Sequence, residues 1–119
     1  MSADLFAGIQ VRDYPASVAW YGRLFGAAPS FVPTDGEAVW QLGEHCFVFI
    51  ELKPEHAGHA RHLLFVDDLD TRVAQIADRG LRPAEQETLP KGVRRVTYRD
   101  ADGNEFSFGG APAVIPGAA

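Results

Sequence analysis

The feature that most restricts this chain's fold is that its order of local patterns runs once and then runs again. Val11-Arg12-Asp13 is echoed by Val66-Asp67-Asp68, 55 residues later, and Gly26 by Gly80 at nearly the same offset. In the first half, Leu5 to Val11 reads as a short buried strand. Asp13 then stands where a helix N-cap acceptor belongs, and Pro15 suits the first turn because its missing N–H is not needed there. Val18, Tyr21, Leu24 and Phe25 recur at helical spacing, and Gly26 can close the helix. Three strands follow, "SFVPT", "AVWQLG" and "CFVFIELK", separated by Asp35-Gly36 and Gly43-Glu44. After "PEHAGHAR" the sequence repeats the order: a strand "HLLFV", a helix "DLDTRVAQIADRG", then strands "EQETL", "VRRVTYR" and "EFSFGG". The chain therefore reads as β-α-β-β-β twice over, an α+β fold. Each half alone is too small to bury a sufficient core, so the two must share one or pair their sheets. Two four-stranded sheets, each with a helix on its outer face, are expected to enclose a cleft between their inner faces.

The length of 119 residues fits one domain. The formal net charge of -5 argues against nucleic acid as a partner, because that binding needs Lys and Arg to neutralise phosphates. Cys46 is the only cysteine, so neither an internal disulfide nor a CxxC site can form. It sits in the apolar run "HCFVFIEL" and is expected to be a buried structural thiol. No apolar run approaches membrane-spanning length, and "MSADLFAG" lacks the pattern of a signal peptide. The expected location is the cytoplasm, away from membranes.

Three local motifs invite a metal or a ligand. In "RDADGNEFSFGG", acidic residues surround Gly103 in the manner of a calcium loop. Aligning that glycine with the invariant EF-hand glycine puts Tyr98 at the first ligand position and Gly109 at the last, so the geometry fails. "DADGN" is instead a hairpin connection, with Asp102-Gly103 supplying the turn. His56, His59 and His62 fall three apart, but in a linker with no cysteine partners they do not make an ordinary structural site. Lys91, Arg94, Arg95 and Arg99 could steer an anion, although such alternation is also that of a solvated strand face. Trp20-Tyr21 reads as helix-to-sheet packing, and His45 as a solvent-facing turn residue.

The run "VRDYPASVAWYGRLFG", together with "FVDDLD" before the second helix and "YRDADGNEFSF" near the end, resembles the vicinal oxygen chelate superfamily, which includes glyoxalase I, bleomycin-resistance proteins and extradiol dioxygenases. The resemblance implies a single domain over residues 1–119: a first module at about 4–54, a linker at about 55–61, a second module at about 62–110 and a tail at 111–119. It further implies paired βαβββ modules around a half-barrel cavity, usually in a homodimer with the site at or near the interface. Metal-using members place four ligands on the first and last strands of the two modules. Here those positions carry Phe6, Glu51, Arg61 and Ser107, with His62 as the alternative to Arg61 if a bulge turns it inward. Only Glu51, and His62 in that alternative, is a strong ligand. No metal and no cofactor is therefore expected.

Strand alternation assigns the cavity face. Phe6, Gly8 and Gln10 share it with Phe47, Phe49 and Glu51; Arg61, Leu63 and Phe65 share it with Ser107. Ile9, Val11, Val48, Ile50, Leu64, Val66, Phe106 and Phe108 face the helices. The expected ligand-binding set is Phe6, Gln10, Trp40, Phe47, Phe49, Glu51, Arg61, Phe65 and Ser107, with the face of Trp40 not fixed by the pattern. Glu51 and Arg61 are positioned for a buried ion pair if they meet. The leading expectation is a metal-free protein that sequesters a small aromatic or amphipathic compound, similar to the bleomycin-resistance branch. The alternative is a glyoxalase- or dioxygenase-like lyase or isomerase with Glu51 in acid–base or metal chemistry. A third possibility is an accessory dimer whose aromatics simply fill a closed core.

Overall fold

A computed structural model of the chain describes residues 2–112. Most of the tail thus lies outside the described residues. Within them the order is β1 (Leu5–Val11), α1 (Tyr14–Phe25), β2 (Phe31–Thr34), β3 (Glu37–Gly43), β4 (Cys46–Leu52), a 3₁₀ turn (Pro54–His56), β5 (Arg61–Phe65), α2 (Leu69–Asp78), β6 (Glu85–Thr88), β7 (Arg94–Arg99) and β8 (Glu105–Gly110). The repeat is real: the strands form two four-stranded sheets of like order, β1-β4-β3-β2 and β5-β8-β7-β6. In each, the first strand runs parallel to the last and the remaining neighbours are antiparallel.

Local chemistry sets the helix ends. The Asp13 carboxylate accepts from the Ala16 N–H at 3.1 Å, satisfying one of the orphan donors of the first turn of α1. Gly26 ends that helix in the left-handed region, φ 74°, and its N–H returns to the Gly22 carbonyl. The Arg79 guanidinium, at the end of α2, donates to the carbonyls of Arg23 and Leu24. One module thus caps the helix of the other.

The modules share a core on their helix sides. Ile9, Val11, Val48 and Ile50 of the first sheet and Val96, Tyr98, Phe106 and Phe108 of the second belong to one buried cluster with Tyr21, Leu24 and Ile76 of the helices. Phe25 of α1 meets Phe106 of β8 edge-on at 5.2 Å between ring centres. The expected cleft between two inner faces is therefore not how a single chain is arranged: the helical layers join, and each sheet turns its other face outward.

Polar ties fix the join. β1 is an edge strand, and two of its outward carbonyls are taken by side chains of the second module. His62 Nε2 lies 2.8 Å from the Gly8 carbonyl, which can only accept, so that nitrogen carries the hydrogen. Asn104 Nδ2 donates to the Gln10 carbonyl at 2.9 Å. These contacts occupy an edge that would otherwise offer itself to another strand. Asn104, 1 % exposed, also accepts from the N–H groups of Gly58 and Ala60 and donates to Asp100. Asp100 accepts in addition from the backbone of Asp102 and Asn104 and from the Tyr21 hydroxyl at 2.7 Å. The hairpin expected at "DADGN" is thus present, with Gly103 at φ 97°, but Asp100 organises it and bolts it to α1. Burial and the neighbouring Asp100 carboxylate push the Tyr21 hydroxyl far above the usual phenol range, so it stays a neutral donor.

Candidate functional site: two open faces of unlike chemistry

On the first sheet, β1, β4 and β3 bring one row of alternate residues to the outward face. The register sets Phe6 beside Phe47, Gly8 beside Phe49 and Gln10 beside Glu51. On the other side of β4, Glu37 pairs with Glu51, Val39 with Phe49 and Gln41 with Phe47. The Phe6 and Phe47 rings stack at 4.4 Å with planes 5° apart. The tip of the Phe49 ring reaches over Gly8 of β1, where a Cβ would sit 2.7 Å from it. Gln10 Nε2 donates to Glu51 Oε1 at 2.8 Å. Glu37 and Glu51 stand side by side, and neither meets a cation within ion-pair distance among the described residues. Like charges directly opposite on a sheet are destabilising. This face combines stacked aromatics with uncompensated negative charge.

The second sheet differs. Arg61, Glu105 and Arg99 form one row across β5, β8 and β7; Leu63, Ser107, Thr97 and Glu85 form the next; Phe65, Gly109, Arg95 and Glu87 the third. Arg61 binds Glu105 at 3.1 Å, Arg99 bridges Glu105 at 2.6 Å and Glu85 at 3.3 Å, and Arg95 binds Glu87 at 2.9 Å. Hydrogen bonding to Arg99 holds the Glu105 carboxyl below its ordinary range. Beneath these pairs the Thr97 and Ser107 hydroxyls bond each other at 2.7 Å. A cavity of about 400 Å³ lies over this floor. A larger hollow, about 780 Å³, runs between the start of α2 and the end of β8, past Arg72, Arg94 and Pro112. It contains none of the paired-face residues except Phe65, so the open faces are the better candidate site.

Alternation thus puts Phe6, Gln10, Phe47, Phe49 and Glu51 on one open face and Arg61, Phe65 and Ser107 on the other. Trp40 is a correction. It pairs with Val48, is 1 % exposed, packs against Tyr21 and Phe25, and its indole N–H donates to the Ala27 carbonyl. It belongs to the helix-side core, because the β3 register carries Val39 and Gln41, not Trp40, to the open face. The Glu51–Arg61 pair is a second correction: Glu51 bonds Gln10 and Arg61 bonds Glu105. Between Arg61 and His62, it is Arg61 that faces outward, while His62 turns to Phe106 and the Gly8 carbonyl. Cys46 is half-buried rather than buried. Arg95, one of the residues expected to steer an anion, faces the open side of the second sheet and is bound by Glu87; Glu37 and Thr97 were missed and are placed on the open faces by the registers of β3 and β7.

Residues 4–108 match the family model of the glyoxalase/bleomycin resistance protein/dioxygenase superfamily. The chain belongs to that superfamily. A solved glyoxalase/bleomycin resistance protein from Catenulispora acidiphila DSM 44928 is 50 % identical, with a TM-score of 0.90 over 93 % of this chain and 100 % of that one. A bleomycin-binding protein in complex with bleomycin is 21 % identical at a TM-score of 0.74, over 92 % of this chain and 99 % of that one. A lactoylglutathione lyase from Agrobacterium tumefaciens is 17 % identical at 0.72, over 93 % and 95 %. The last two share the fold. A comparison with curated proteins finds no match.

Metal-using relatives hold a divalent ion in this fold, and the residues here do not fit one. At the four corresponding positions Phe6 has no donor, Arg61 is a cation, and the Ser107 hydroxyl is engaged with Thr97, leaving Glu51. Among the described residues no group of three or more His, Cys, Asp or Glu side chains is placed to hold a metal.

Proposed function

We propose that this superfamily member binds and sequesters a small aromatic or amphipathic cation without a metal ion, in the manner of its bleomycin-resistance relatives. One observation carries the reading: two carboxylates without a cationic partner, Glu37 and Glu51, share an open sheet face with Phe49 in the adjacent row and the stacked Phe6 and Phe47 rings in the row beyond. A flat, positively charged ligand satisfies both features, packing on the aromatic rings and supplying the cation that the two carboxylates lack. A bleomycin-binding structure among the neighbours gives the reading a precedent in the fold. Sequestration of such a compound in the cytoplasm would be a resistance function.

The same reading includes a homodimer. Phe6, Leu63 and Phe65 are 47 %, 57 % and 60 % exposed in the single chain. Burying a side chain of this kind is worth roughly 1.5–3 kcal/mol. A second copy laid across the open faces would cover these residues and close the site, giving a particle of twice 13.0 kDa by sedimentation. The catalytic alternative, with Glu51 in acid–base chemistry, gains no charge stabilisation from Arg61, which is committed to Glu105.

A thermal-shift screen of aromatic amines against neutral compounds of the same shape tests the proposal. At a ligand concentration of 100 Kd, mass action predicts about 2.7 kcal/mol of added stability. Greater stabilisation by the cations than by their neutral counterparts is expected. Equal or absent stabilisation across both sets would refute it.

A further inference from the structure

The second sheet's open face is built for a different partner from the first. It carries three arginines and three glutamates, and each arginine is already fixed by a carboxylate. An anion arriving there must compete with the glutamates, and a cation with the arginines. Yet the hydrogen-bonding capacity is far from used. A guanidinium has five N–H donors, and Arg61 commits one of them, its Nε–H, to Glu105. The floor adds a further donor. Thr97 and Ser107, 5 % and 7 % exposed, share one hydrogen between two hydroxyls, so the accepting hydroxyl keeps its own hydrogen for another acceptor. At the margin, Leu63 presents exposed apolar surface.

We propose that this cavity of about 400 Å³ takes a neutral polyhydroxylated ring, a glycosyl group, so that the ligand class is a glycosylated aromatic compound. The inference rests on the binding reading above. Adjacent ring hydroxyls donate to carboxylates and accept from guanidinium N–H groups at once, which a charge-balanced lattice favours and a simple ion does not exploit. The apolar C–H face of such a ring lies against Leu63, which lines the cavity. The arginine–glutamate pairs hold their donors and acceptors in place before the ligand arrives, which lowers the ordering cost of binding.

The probes are 4-methylumbelliferyl β-D-glucoside, its aglycone 4-methylumbelliferone, and the corresponding β-D-glucuronide, which adds a carboxylate to the same sugar ring. Titration of each into the full chain should give a glucoside affinity roughly tenfold above that of the aglycone, the gain of one or two net hydrogen bonds. The glucuronide should bind no better than the glucoside. In the double variant T97V/S107A, which removes both hydroxyls and so leaves neither orphaned, the preference for the glucoside should collapse. Amide chemical-shift changes on adding glucoside should centre on Thr97, Ser107 and Arg95, a readout independent of the variant's stability. Equal affinity for glucoside and aglycone, a preference that survives in the variant, or tighter binding of the glucuronide overturns the inference. If aromatic amines bind and the glucoside does not, the glycosyl inference fails and the cation-binding reading stands. Failure of both classes removes both.

Discussion

Replacing Asn104 by alanine should be among the most damaging single changes in the protein, although the residue is neither large nor near the open faces. Its carboxamide makes four hydrogen bonds: from the N–H groups of Gly58 and Ala60, to the Gln10 carbonyl, and to Asp100. It is 1 % exposed, so water does not readily replace it. Alanine leaves two backbone donors and one backbone carbonyl without their partner. Each orphaned buried group costs about 1–3 kcal/mol. Allowing the linker to relax and admit water, the total should be about 3–5 kcal/mol, a large share of the roughly 5–15 kcal/mol expected of a domain. Urea unfolding followed by tryptophan fluorescence would report it as a lower midpoint at an unchanged slope. The Arg12–Asp102 pair provides the contrast. Arg12 is 58 % exposed at its side chain, and R12A should cost under about 1 kcal/mol. A loss below about 1 kcal/mol in N104A would refute the reasoning, showing that the modules are joined by their apolar layer alone.

Two further outcomes follow from the same contacts. The Tyr21 hydroxyl is held far above the usual phenol range, so its stabilising effect is fully present below the unfolded value near 10 and is lost as pH rises beyond it. Unfolding at pH 11 against pH 8 should therefore cost the natural chain more than Y21F, and equal losses would contradict the Tyr21–Asp100 bond. In G8A, the new methyl must displace the Phe49 ring that lies 2.7 Å from its position. Binding of aromatic ligands should weaken several-fold and stability should fall by roughly 1–3 kcal/mol; unchanged binding would place the ligand elsewhere.

What could be read from the sequence was what local rules decide. Asp13, Gly26 and the apolar spacing of Val18, Tyr21 and Leu24 specify α1 without tertiary help, and the repeated order specifies two sheets. Alternation sorted most side chains correctly between helix side and open side, because one face of every inner strand is buried. It left Trp40 unassigned, because the adjacent Val39 and Trp40 are both apolar and both buried, so apolar character alone does not fix the phase of β3. Long-range polar pairing was invisible for a different reason. Asp100 meets Tyr21, 79 residues away, and Arg61 chooses Glu105 over Glu51 only because β5 lies against β8. Nor does a pattern of strands reveal that the helical layers, not the open faces, join the modules. That follows from Phe25 meeting Phe106 and from Arg79 capping α1.

The central claim, a metal-free face that recognises an aromatic cation through Glu51 and Glu37, is tested most directly by calorimetric titration of chelator-treated protein. The ligand would be a fused-ring aromatic amine found in the thermal-shift screen, titrated into the natural chain and into E51Q. The account predicts saturable binding that persists without divalent ions and weakens roughly tenfold in E51Q, the worth of one charge-assisted contact. Binding that appears only when a divalent metal is restored, or that E51Q leaves unchanged, would contradict it.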